Sequence, residues 1–116
     1  MRRVALPLSR TDEALVRDYI KFRVRGIVYA SVSPDETLLG FGFPRDERDD
    51  LVAAEPDKFL LPVASDLRYQ WVRARMAALD LDELRELVED AWRMCVPKRV
   101  AADWDARVAA RSGDDG

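Results

Sequence analysis

The chain has 116 residues, 48% hydrophobic and 35% charged, with a net charge of −3 and a pI near 5.0. That is room for a single core, and the composition excludes wholesale disorder. Histidine is absent and cysteine occurs once, at Cys95, which excludes Ser-His-Asp and Cys-His catalysis, His-ligated zinc and an internal disulfide.

Residues 2–8 carry Val4, Leu6 and Leu8 and read as a short helix or an extended lead-in, since Pro7 opposes a long helix. The following SRTDEAL, residues 9–15, reads as a turn in which Ser9 or Thr11 caps Asp12 and Glu13. Lys21 to Phe43 reads as three strands joined by two tight turns. Phe22 and Val24 alternate with Lys21, Arg23 and Arg25, the period of a half-buried strand. Arg25-Gly26 supplies a two-residue turn, glycine giving the positive φ a tight hairpin needs. Such a turn pairs Val24 with Ile27, Arg23 with Val28 and Phe22 with Tyr29. Phe22, Val24 and Tyr29 are then expected in the core, and Lys21 and Arg23 on the other face with Val28 and Ala30.

Ser33-Pro34-Asp35-Glu36 forms the second turn, with Pro34 at a central position. In the third strand Gly40 and Gly42 lie on one side, marking a bulge or a close approach to the backbone. Pro44 opens a helix through ERDDLVAA that buries Leu51, Val52 and the stem of Arg48, and Pro56 ends it. Phe59–Val63 is a short edge strand, and residues 69–77 alternate again, with Trp71, Arg73 and Arg75 on one face. Residues 80–96 form an amphipathic helix capped by Asp80, with Leu84, Leu87, Val88, Ala91, Trp92 and Cys95 on its apolar side. Val100, Trp104 and Val108 suggest a last helix. The domain is expected to span 1–112, with residues 113–116 a disordered tail.

Charge alternates along the chain. Residues 1–30 carry seven positive and three negative side chains, and residues 31–56 two against seven. Residues 57–79 carry four against two, and residues 80–97 two against six. Strand segments are thus basic and helical segments acidic. Strand groups separated by helices imply an α+β protein of two layers, α-β(3)-α-β(2)-α, an antiparallel sheet with its helices on one face.

Three stretches, KFRVRGIVYASVS, ETLLGFGFPRDERDDLVAAEPDKFLL and SDLRYQWVRARMAALDLDELRELVEDAWRMCVPKR, resemble the MmcQ/YjbR family over roughly residues 15–100. The resemblance implies a two-layer fold like that of secretion chaperones. It also implies a DNA-binding label, from a double-wing arrangement of hairpins. It supplies no catalytic residues. A Leu-Pro expected near the end of the first helix comes early here, as Leu6-Pro7.

The candidate DNA-binding residues are Lys21, Arg23, Arg73 and Arg75, with Arg25 and Arg68 at strand ends and Tyr69 or Trp71 to stack on bases. The bland alternative is an uncovered sheet face charged for solubility and to block edge pairing. The acidic helices, Asp46–Asp50 and Asp82–Asp90, gather no oxygen shell, so no metal or other cofactor is expected. Gly40-Phe41-Gly42 lacks the third glycine of a phosphate loop, Arg45 standing in its place. Serines without histidine and a Cys95 on an apolar helix face leave no catalytic candidate, so the chain is expected not to be an enzyme. No apolar run reaches membrane-spanning length, and that of MRRVALPL is too short for a signal peptide. The expectation is a cytoplasmic, DNA-binding domain without a membrane partner. The alternative is a protein–protein interaction or self-associating module.

Overall fold

Alternation of apolar and polar side chains builds the sheet, and two-residue turns order its first half. The computed structural model describes residues 1–114, with side chains as far as Arg111. Its strands are β1 (Thr11–Val16), β2 (Tyr19–Val24), β3 (Ile27–Val32), β4 (Leu38–Gly42), β5 (Phe59–Leu60) and β6 (Trp71–Arg75). They form one antiparallel sheet in the order β1-β2-β3-β4-β6-β5. The helices are α1 (Arg2–Ala5), α2 (Arg45–Ala54), α3 (Leu81–Arg93) and α4 (Lys98–Asp114). The α+β class is as expected. Of residues 113–116, expected to be a disordered tail, 115 and 116 lie outside the described residues, and α4 continues to Asp114.

The expected turn at residues 9–15 is instead a strand, so six strands stand where five were expected. The register shows why β1 is hard to read: Thr11, Glu13 and Leu15 pair with Val24, Phe22 and Ile20, the residues of β2 that face the core. At the sheet margin that inward row needs no apolar alternation. Glu13 is met by Arg2, and Thr11 Oγ1 shares a 2.8 Å hydrogen bond with the Tyr29 hydroxyl. Arg17 and Asp18 turn the chain into β2 with φ of 52° and 68°, the left-handed pair of a tight hairpin.

At the β2–β3 hairpin, Val24 pairs with Ile27 and Arg23 with Val28 as expected. A bulge then shifts the register, so Phe22 pairs with Ala30 rather than with Tyr29. This corrects one placement: Ala30 is buried in the core, and Ser31 stands opposite Lys21 on the other face. Phe22, Val24 and Tyr29 are all buried as expected. Burial pushes the Tyr29 hydroxyl pKa up to about 12.

The core lies between one sheet face and the helices. Leu39, Phe41, Val72 and Ala74 point into it and meet Val88, Ala91 and Trp92 of α3. Asp80 caps α3 by accepting the Glu83 N–H at 2.8 Å. The Glu83 carboxylate does not turn back to complete a capping box but accepts from Lys58 at 2.7 Å. The Trp92 indole donates to the Ser9 carbonyl at 2.9 Å and meets the Trp104 ring edge-on, closing α4 over the core.

Candidate nucleic-acid interface

The helices leave one sheet face open. Across it the register sets Ala14, Lys21, Ser31, Gly40, Arg73 and Leu60 in one continuous row. This row crosses a concavity of about 300 Å³. Ser31, Gly40 and Trp71 form its floor, Lys21, Arg17 and Arg73 supply its cations, and Asp66 is its one carboxylate. Lys21 and Arg73 stand three strand spacings apart, about 14 Å.

Gly40 shapes that floor. A Cβ built there would lie 2.7 Å from Cζ2 and 2.8 Å from Nε1 of Trp71, so only glycine lets the indole lie on the sheet. This is the close approach that the paired glycines suggested. At Gly42 a Cβ would meet Ala91 at 3.7 Å, an ordinary contact.

The wall of the concavity is the irregular segment between β5 and β6, which contributes Val63 and Asp66. Three arginines hold it, Arg45 by donating to the Arg68 carbonyl at 2.9 Å. Arg73 donates from Nε and Nη2 to the Leu61 carbonyl at 3.0 and 2.8 Å. Arg48, buried on α2, donates to the carbonyls of Tyr69, Trp71 and Leu67 at 3.1, 3.3 and 3.1 Å. A buried guanidinium bonded to three carbonyls fixes the backbone that presents Trp71.

The candidate residues therefore do not all come together. Lys21, Trp71 and Arg73 line the concavity. Arg75 pairs with Leu38 at its margin, on the same face as Trp71 and Arg73. Arg23 shares the face of Lys21, but its Nε donates to Asp12 Oδ1 at 2.8 Å. Arg25 sits in the β2–β3 turn with φ of 52°. Arg68 and Tyr69 precede β6 and engage each other: Arg68 donates to the Tyr69 hydroxyl at 2.7 Å and stacks 4.8 Å from its ring centre. Arg68 borders a separate dip with Arg45, Asp46 and Gln70.

Sequence reasoning missed Arg17, Tyr19, Ser31 and Asp66 as neighbours of Lys21. Arg17 and Tyr19 lie between the turn expected at residues 9–15 and the strand expected from Lys21, in the unforeseen β1–β2 hairpin, and the bulge hid Ser31. The other chemistry weighed from the sequence is placed as follows. Gly40-Phe41-Gly42 lies inside β4. Among the described residues, no three of His, Cys, Asp or Glu are placed to hold a metal ion. Cys95 is half-buried, and burial raises its thiol pKa, away from the reactive thiolate. No helix among the described residues is long and apolar enough to cross a membrane.

Comparison with known proteins bears on the fold. The profile of the family described as YjbR matches residues 5–94. A crystal structure of Deinococcus radiodurans protein DR2400, carrying a domain described as DUF419, superposes with a TM-score of 0.70 at 18% identity. The match covers 80% of this chain and 73% of that one. A protein from Pseudomonas syringae superposes with a TM-score of 0.61 at 13% identity, covering 81% of this chain and 94% of that one. At these identities the likeness is one of fold. No curated protein matches the sequence.

Proposed function

The chain belongs to the YjbR family, and from that premise we propose that it is a binding module, not an enzyme, whose open sheet face takes single-stranded DNA. The observation that carries this is the Trp71 indole laid over Gly40 between the cations Lys21 and Arg73. A base has a π face that stacks on such a ring for about 1–3 kcal/mol, whatever its identity. Lys21, Arg17 and the Arg73 Nη1 not engaged by Leu61 would take the flanking phosphates, with the hydroxyl of Ser31 as a further donor. The concavity has the scale of a nucleotide, so a flexible single strand suits it better than a duplex. A net charge of −3 works against tight binding, so the affinity is expected to be modest and strongly salt-dependent. The lone thiol fits a reducing, cytoplasmic location.

Fluorescence anisotropy with labelled oligo-dT and a matched duplex, over a salt series, tests this. Expected are preferential binding of the single strand at low salt, quenching of tryptophan fluorescence, and several-fold weaker binding by Lys21→Ala and by Trp71→Leu. No binding at low salt, or undiminished binding by both variants, would overturn it.

A second reading has its own observation. Among the described residues β1 pairs only with β2, leaving an exposed edge that carries Leu15 at 71% exposure. Such an edge is a template for another strand. A protein–protein or dimerising module would use it, and light scattering showing a dimer that Leu15→Lys dissolves would favour that role.

A further inference from the structure

A second concavity, of about 300 Å³, lies on the opposite side of the molecule, where α1, α3 and α4 meet. Its apolar surface comes from Val4, Trp104 and Val108. Around it stand Arg3, Arg85 and Arg111, none with an ion-pair partner among the described residues. The one acid in the lining, Glu89, already faces Arg93 at 3.6 Å. A fourth arginine, Arg107, lies 5.8 Å from the centre of the Trp104 ring and donates to Ser9 Oγ.

Trp104 supplies the independent observation. It is 7% exposed, and its indole Nε1 is buried with no hydrogen-bond partner. The indole N–H is a donor only, and a buried donor left without an acceptor costs about 1–3 kcal/mol. Its neighbour Trp92 satisfies the same group on a backbone carbonyl. The cleft thus gathers three guanidinia, with an orphan N–H beside it, against the single carboxylate of Glu89, which faces Arg93. That is a deficit of negative charge next to apolar surface.

We propose that this cleft is a binding site for a small amphiphilic carboxylate, its carboxylate held by the arginines and its short apolar body laid against Val4, Trp104 and Val108. The site is separate from the open sheet face, and its occupancy does not depend on nucleic-acid binding. Its volume is at the low end of small-molecule pockets, which limits the ligand to a short chain or a single ring.

Octanoate is the probe, with octanol and inorganic phosphate as controls. The ¹H–¹⁵N spectrum resolves the three indole N–H groups, with Trp104→Phe assigning one of them. Octanoate is expected to shift the Trp104 signal saturably and leave the Trp71 signal in place, with at least tenfold weaker binding in the double variant Arg85→Gln, Arg111→Gln. Both arginines are exposed, so the double variant should fold. Lys21→Ala should bind octanoate as the natural chain does, which separates this site from the sheet face. No saturable shift, an equal response to octanol or to phosphate, a common shift of all three indoles, or undiminished binding by the double variant would overturn the assignment.

Discussion

The two faces of the sheet are made by neighbouring residues of the same strands. Phe22, Leu39 and Val72 turn toward the helices and are fully buried. Lys21, Gly40 and Arg73, each one position away, turn toward solvent. On the covered face the side chains fill volume, and the helices supply the matching surface. On the open face no layer supplies it, so the sheet covers itself. Trp71 lies across Gly40, and the segment between β5 and β6 folds in and is tied by Arg73. The result is a concavity in which Lys21 and Arg17 keep their charges unpaired among the described residues. An uncovered face becomes a site when its cations are not all used in holding it together; Arg23, tied to Asp12, is one that is.

Four substitutions sharpen or break this contrast. Trp92→Ala should have the largest effect, about 3–5 kcal/mol lost in a urea denaturation curve, because it opens a cavity and removes a bond to Ser9. A loss below about 1 kcal/mol would mean that the helical layer is not what holds the covered face.

Arg48→Ala comes next, at about 2–3 kcal/mol, the scale of charged hydrogen bonds to three carbonyls. Because Arg48 joins α2 to the backbone that presents Trp71, tryptophan emission should also shift to the red. Lost stability with unchanged emission would detach Arg48 from the open face.

Gly40→Ala should cost about 1–3 kcal/mol, since the new methyl overlaps the Trp71 indole. If the variant is instead more stable, as lower chain entropy alone would make it, the close seating of the indole is refuted.

Lys21→Ala should change stability least, within about 0.5 kcal/mol, while weakening oligo-dT binding several-fold. A large fall in Tm would assign Lys21 a structural part on this face.

Much of the fold was legible along the chain. The alternation in Lys21–Arg25 and in Trp71–Arg75, the Arg25-Gly26 turn and the apolar stripe of α3 are each local, and each is present in the structure. β1 was not legible, because an edge strand at the margin of the core can face inward with Thr11 and Glu13 and so shows no apolar period. Nor was the bulge, which depends on how two strands twist against each other.

The candidate site divides the same way. Which residues of β2 and β6 face away from the core follows from period two, so local sequence determined that Lys21, Trp71, Arg73 and Arg75 share the open face. Which of them share a concavity depended on strand order. β4 inserts between β3 and β6, setting Gly40 beside Arg73 and below Trp71. Pairing between strands far apart in sequence is chosen by the packing of the whole sheet against its helices, and no local pattern encodes it. The cations were written in the chain. The tertiary structure alone decided that Asp12 engages Arg23, that Leu61 holds Arg73, and that Lys21 keeps its charge at the edge of the concavity.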